Sequence, residues 1–347
     1  MASAVAWRRV ERRTSRGRRY ATYERLMPRI PDQLLNSVVY LFKDEAHALS
    51  GEGAGGTGFL IDYPGALGRQ TYVVTNLHVV GEGCTTLRIN TGDGGVEALP
   101  ILSGWEDDGD GDDVSVSPID FELPFKWAIK PLPWESFCPT PERMEELNVG
   151  VGDDVFMLGR FSGHSGRQQN QPLARFGNLA MMDGERVEDG RGMLVDAYLV
   201  EMRSLPGFSG SPVFLTMGAG SYRGVYGTDQ QAKMMPFYSE TIALLGIDTG
   251  HKRVKTYVLD AAGKEVEQPV RVILENSGVA IVAPCYKIND ILEGDALVKQ
   301  REKAAGDAVD DPARGVSDIA PDDDGDEFKR FEDLTRKLVN TPKQQPG

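Results

Sequence analysis

Pro206-Gly207-Phe208-Ser209-Gly210-Ser211-Pro212 sets one serine in a tight glycine turn that runs directly into an apolar stretch at 212–215. Gly207 lets the chain take a conformation closed to other residues. Two backbone N–H groups, those of Gly207 and Ser209, then converge on one point. Such paired donors stabilise the oxyanion of a tetrahedral intermediate, and losing one typically costs ~10²–10³ in rate. A serine hydroxyl is a weak nucleophile at neutral pH and needs a neutral imidazole to take its proton. That imidazole needs a carboxylate on its other nitrogen, which fixes the tautomer and stabilises the imidazolium.

Working outward, one of only four histidines supplies the imidazole. His78 lies in Thr75-Asn76-Leu77-His78-Val79-Val80, where an apolar strand leaves the core. The carboxylate is found in Asp113-Val114-Ser115-Val116, an aspartate abutting an alternating strand. Asp113 closes the acidic run Glu106-Asp107-Asp108-Gly109-Asp110-Gly111-Asp112-Asp113 and is preferred to Asp112 because it touches the strand directly. The bland readings are a core histidine, a turn serine and a solvated acidic loop.

The rest of the chain reads as strands. Segments 37–42, 57–61, 71–75, 85–89 and 114–119 are short, β-branched or aromatic, and bounded by Gly, Pro, Asn or Asp. A second set follows at 154–158, 173–182, 193–201, 212–215, 242–247 and 278–283, with a short helix over 285–292. The proline-bearing stretch 131–152 separates the sets. Two runs of about six strands point to two sandwiches or two barrels. A total of 40 Gly and 20 Pro agrees with many turns rather than a helical bundle.

Charge and cysteine usage narrow the class. The chain has 347 residues and a net charge of -14, which disfavours nucleic acid as a partner. Residues 1–25 carry eight Arg against two Glu, residues 301–347 carry eight basic against twelve acidic residues, and 26–300 is left at -16. The arginine-rich start lacks the apolar stretch of a secretory signal and reads as a solvated extension. The tail, with Pro321-Asp322-Asp323-Asp324-Gly325-Asp326, is expected to be largely disordered up to an amphipathic stretch at 328–339. No apolar run approaches a membrane span. Three cysteines without paired spacing argue against a disulfide framework and for a cytoplasmic, reducing setting.

These motifs resemble those of the trypsin-like serine peptidases of the chymotrypsin fold. Thr75-Asn76-Leu77-His78-Val79-Val80 is similar to the histidine box of bacterial HtrA-type proteases. Gly56-Thr57-Gly58-Phe59-Leu60-Ile61 resembles the strand before that box, and Gly207-Phe208-Ser209-Gly210-Ser211-Pro212 the nucleophile turn. The order His, Asp 35 residues on, Ser 96 residues further, also agrees. Residues 155–160 and Gly246-Ile247-Asp248-Thr249-Gly250 resemble later strands of the second barrel, the latter lining the substrate cleft. The resemblance implies an all-β fold of two six-stranded antiparallel β-barrels: an extension over 1–34, barrels over 35–130 and 153–292, a crossing over 131–152 and a tail over 293–347. It implies a serine endopeptidase with His78, Asp113 and Ser209 catalytic, Gly207 and Ser209 as oxyanion hole, and Gly246, Asp248 and Gly250 toward substrate.

The departures matter too. Phe208 stands where digestive trypsins carry the aspartate that pairs with a new N-terminus, so that mode of activation is not expected. The polar residues after Asp290 leave no place for the PDZ domain of HtrA-type proteins, and segments 216–240 and 251–277 are insertions. Asp248 and the acidic loop raise a preference for cationic peptides. Partners are a protein or peptide substrate and a regulatory protein, with the oligomeric state open. No metal or cofactor is expected. Residues 51–58 lack a P-loop's Gly-Lys, and counting from Asp108 a calcium loop fails at positions six and twelve. Two other classes compete: a catalytically silent fold that binds peptides, and a serine esterase. The esterase needs Gly-x-Ser-x-Gly feeding a helix, whereas Ser211 and Pro212 follow here.

Overall fold

The computed structural model describes residues 8–13, 19–24 and 30–310, apart from 54, 66–67, 108, 120–122, 165, 218–221, 226–232, 237–240 and 258–271. Two compact units divide the chain, one of residues 1–31 and 303–347, the other of 32–302. In the first, β1 (Arg8–Arg13) pairs antiparallel with β2 (Arg19–Glu24), with Arg8 opposite Glu24. The basic arm thus carries a hairpin where a solvated extension was expected, because Val10, Tyr20, Thr22 and Tyr23 favour extended backbone.

The second unit opens with α1 (Asp32–Asn36), β3 (Val38–Phe42), α2 (Glu45–Ser50), β4 (Gly55–Gly65), β5 (Gly68–Thr75), α3 (Leu77–Gly81), β6 (Thr86–Asn90), β7 (Val96–Pro100) and β8 (Ser115–Pro118). These strands form a sheet in the order β7-β6-β3-β4-β5-β8, and β9 (Leu132–Pro133) joins β4 in parallel to make seven. A closed barrel of six was expected here. Among the described residues β7 and β8 do not pair, because the outer edge of β8 is taken by Glu106, whose N–H and C=O bond to Val116 at 2.8 and 2.9 Å. Val39, Leu41, Leu60, Val73, Leu87 and Ile89 of its strands pack into one buried core cluster.

The crossing holds α4 (Trp134–Phe137) and α5 (Pro141–Glu146), the latter capped by Thr140, which accepts the N–H of Arg143. Then come β10 (Asp154–Gly159), β11 (Leu173–Met181), the hairpin β12 (Val187–Glu188) and β13 (Leu194–Val195), β14 (Tyr198–Glu201), β15 (Pro212–Met217), the hairpin β16 (Tyr222–Val225) and β17 (Lys233–Pro236), β18 (Thr241–Tyr257) and β19 (Val272–Pro284). Six of these close an antiparallel barrel in the order β10-β11-β14-β19-β18-β15. The strand expected over 193–201 is broken at Asp196-Ala197, since Asp196 turns aside to pair with Arg186 and Lys287. The two insertions contain the β16–β17 hairpin and a ribbon that carries β18 and β19 out to Tyr257 opposite Val272.

Helix α6 (Cys285–Leu292) follows, and α7 (Asp295–Asp310) occupies the start of the tail that was expected to be disordered. Its Ala, Leu, Lys, Gln and Glu residues are good helix formers. Residues 311–347, including the acidic run and the 328–339 stretch, lie outside the described residues. Among the described residues no helix is long and apolar enough to cross a membrane.

Side chains fasten the sheet to the barrel. Buried Arg88 of β6 donates to the carbonyls of Gly166 (3.1 Å) and Arg167 (2.8 Å) and to Asn170 Oδ1 (3.2 Å). Arg160, at the end of β10, donates to the carbonyls of Gly53 (2.9 Å) and Gly55 (3.2 Å) and lies over the Phe42 ring. Mostly carbonyl oxygens thus take the terminal N–H groups of both guanidinium groups, which offsets part of the cost of burying them, while each Nε finds no hydrogen-bond partner among the described residues. On α6, Lys287 meets Asp112 at 2.7 Å, both nearly sealed from solvent.

Candidate active site

His78 sits on the one-turn helix α3, immediately after β5 delivers the chain from the core. Asn76 precedes that helix, fully buried, and its Nδ2 donates to the carbonyl of Asp113 at 2.7 Å. Asp113 then holds His78 twice. Oδ1 accepts the backbone N–H at 2.9 Å and Oδ2 lies 2.6 Å from Nδ1. With Nδ1–H directed at the carboxylate, the Nε2 lone pair faces away from it. Burial lowers the affinity of His78 for a proton, but the hydrogen bond and charge of Asp113, helped by Glu82, more than offset it, and its pKa stands above the ordinary 6.5.

The two acidic neighbours separate cleanly. Asp113 faces His78, whereas Asp112 turns to Lys287.

Ser209 occupies a turn anchored by Phe208, which is fully buried in the barrel core. Gly207 and Gly210 take φ of +97° and +87°, a region that side chains resist. At Gly210 a Cβ would also stand 1.9 Å from the carbonyl oxygen of Thr57. Thr57 of β4 locks the turn: its N–H donates to the Ser209 carbonyl (2.8 Å) and its Oγ1 to the Gly207 carbonyl (2.7 Å). Gly56 completes the junction. A Cβ there would meet the Val79 side chain at 2.8 Å and the Ser209 carbonyl at 3.2 Å. The residue after His78 and the serine turn therefore abut one glycine of one strand. Among the described residues no hydrogen bond joins Ser209 to His78, and the N–H groups of Gly207 and Ser209 donate to no protein acceptor.

The three positions expected toward substrate divide. Gly246 is a sheet-packing glycine, since a Cβ would lie 1.9 Å from the Ala283 carbonyl. Asp248 pairs by its backbone with the serine turn, accepting from Gly210 N–H and donating to Ser211, both at 2.9 Å. Its side chain is fully buried and accepts from Ser204 Oγ at 2.7 Å, so it offers no charge to a cationic peptide. Burial, against the opposing Ser204 hydroxyl, pushes its carboxyl up to about 7. Only Gly250, with φ +148° at a bulge in β18, borders open space.

The Asp248 shift has a consequence for stability. Its folded pKa lies above the ordinary 3.8, so its stabilisation is full at acid pH and is lost as pH rises through about 7. Wild type should lose about 2–4 kcal/mol more than Asp248→Asn between pH 4 and pH 8. Urea unfolding at the two pH values checks this; parallel losses in the two proteins would refute it.

Sequence reading missed Thr57 and Arg191. Thr57 was visible only as part of a strand. Arg191 lies in a polar loop without pattern, yet its NH1 reaches 3.5 Å from Asp113 Oδ1.

A closed antiparallel barrel beside a second, largely antiparallel sheet, with a His–Asp pair on the sheet and a glycine-flanked serine on the barrel, is the trypsin-like serine-protease fold. Among solved structures the chain is similar to the MamO protease domain from Magnetospirillum magneticum, at 16% identity over 76% of this chain and 98% of that one, TM-score 0.42. It is similar to the HtrA-type protease AlgW with tripeptide at 14% identity over 77% and 62%, TM-score 0.40. Rv3671c from M. tuberculosis H37Rv, a Ser343Ala mutant in an inactive form, shares 16% over 76% and 88%, TM-score 0.39. No family model and no curated protein matches the chain.

Proposed function

We propose that this chain is a serine endopeptidase working through an acyl-enzyme. The observation that carries the reading is the double grip of buried Asp113 on His78, with the serine turn fastened to the neighbouring strand by Thr57. Ser209 Oγ attacks the peptide carbonyl while Nε2 of His78 takes its proton. Asp113 holds the ring by Nδ1 and stabilises the imidazolium. The tetrahedral oxyanion is received by the N–H groups of Gly207 and Ser209. Collapse of that intermediate expels the amine, which takes the proton from His78, and water repeats the sequence on the ester. A cytoplasmic setting belongs to the same reading, supported by the free thiols of Cys84, Cys138 and Cys285.

One observation favours a second reading, a silent fold that binds peptides: no hydrogen bond joins Ser209 to His78. Catalytic hydrogen bonds are often long before substrate binds, so turnover decides between the two. Cleavage of a peptide pool should be detected by mass spectrometry, with kcat/KM rising through a midpoint above the ordinary histidine value of 6.5. Binding of peptides without cleavage would favour the silent fold, and a midpoint below 6.5 would contradict the Asp113-raised His78.

A further inference from the structure

The hairpin between β12 and β13 ends on Arg191, and this side chain reaches the far side of the His–Asp pair. Its Nε lies 2.7 Å from Asp189 Oδ2, and Asp189 Oδ1 also accepts the backbone N–H groups of Arg191 (2.7 Å) and Met193 (2.9 Å). Its NH2 donates to the Gly111 carbonyl at 3.3 Å and its NH1 stands 3.5 Å from Asp113 Oδ1. That oxygen is the one that accepts the His78 backbone N–H. The arginine is therefore oriented by a carboxylate of its own hairpin before it meets Asp113. A loop-borne cation is placed against the carboxylate on which the imidazolium depends.

The charges around the pair come from several elements. Asp113 precedes β8, Glu82 closes α3, Arg191 comes from the β12–β13 hairpin and Asp248 from β18, and all four act on or beside His78. Asp112 is held away by Lys287 of α6. Arg191 is the sole cation among these facing groups, and it opposes the effect of Asp113 and Glu82 on His78.

We propose that Arg191 is a positioning residue for His78: docked on Asp113, it holds the basicity of the imidazole below what Asp113 alone would impose, so that more of the ring is neutral near pH 7. The proposal rests on the endopeptidase reading for its consequence, but not for its test. Because Arg191 is partly exposed, at 39%, its substitution leaves the core untouched.

The His78 ring is titrated by NMR in the full chain, for wild type, Arg191→Gln and Arg191→Lys, and kcat/KM is recorded against pH for the same proteins. Removing a cation next to an imidazolium favours the protonated form. Arg191→Gln should raise the His78 midpoint by about 0.5–1 pH unit, while Arg191→Lys, which keeps the charge, should stay within about 0.2 unit of wild type. In the rate profile Arg191→Gln should lose roughly three- to tenfold at about pH 6 and nothing on the alkaline plateau, where the ring is neutral in every variant. A merely structural role would lower the plateau and leave the midpoint alone. An unchanged NMR midpoint in Arg191→Gln overturns the proposal whether or not the protein cleaves peptides. A shifted midpoint without any turnover upholds the charge relation and counts against the endopeptidase reading instead.

Discussion

Ser209→Ala is expected to lower peptide hydrolysis by about 10⁶-fold, to a residue left by the oxyanion donors and substrate binding. The size follows from the chemistry. Without Oγ there is no acyl-enzyme, and water must attack a carbonyl that the site holds but cannot activate. The variant should fold as the wild type does. Ser209 is half-buried, its carbonyl rather than its side chain carries the bond from Thr57, and the turn is set by Gly207, Phe208 and Gly210. Thermal unfolding should move little while turnover disappears, and that pairing separates loss of a nucleophile from loss of structure. Measurable turnover within tenfold of wild type would show that another group does the chemistry.

The second large effect is at Asp113. Its two oxygens accept two hydrogen bonds from one residue, the backbone N–H and Nδ1–H of His78. An asparagine offers one acceptor oxygen and one NH2. Asp113→Asn therefore presents a donor to one of the two positions, either repelling the helix N–H or reversing the tautomer so that Nε2 carries the proton. In either case the ring loses the carboxylate that stabilises its charged form. A drop of roughly 10³–10⁴ in kcat is expected, with the His78 midpoint falling as the favourable charge is removed. Steady-state kinetics across pH measures both, and kcat within tenfold of wild type would mean that Asp113 does not serve the ring.

The site was more legible than the body that holds it. His78, Asp113 and Ser209 stand in short motifs whose residue types are set by local chemistry: a buried asparagine before the histidine, an acid abutting a strand, glycines that must take positive φ. The barrel strands were equally plain where β-branched runs alternate, and the short helix expected over 285–292 is α6. What failed to show depends on distant partners. Val96–Pro100 holds Glu97 and Pro100 and reads poorly as a strand, yet it pairs with β6 throughout. The open edge of the first sheet arises because Glu106 takes the outer edge of β8, a pairing across nine residues of acidic sequence. Asp248 read as a cleft charge because its segment resembles the strand that lines the substrate cleft in trypsin-like peptidases. Its side chain instead turns inward to Ser204, 44 residues away. Arg191 had no local signature at all, since its role comes from a partner 78 residues earlier.

The geometry around Thr57 explains why the two halves of the site must be read together. One threonine accepts the N–H of Arg160 at 2.9 Å and donates to Gly207, so the sheet and the nucleophile turn share a hydrogen-bond centre. The residue after His78 meets the same strand at Gly56, beside the Ser209 carbonyl. A peptide carbonyl placed over Ser209 would therefore meet groups whose positions are fixed by backbone rather than by flexible side chains, as transition-state stabilisation requires.

The central claim, that Ser209 is a nucleophile activated by His78, is tested most directly by fluorophosphonate labelling followed by intact mass and peptide mapping. Wild type should gain a single phosphonyl adduct, mapped to Ser209, at a rate that falls steeply in His78→Ala and to nothing in Ser209→Ala. Absence of the adduct in folded wild type, or equal labelling of Ser209→Ala, would contradict it.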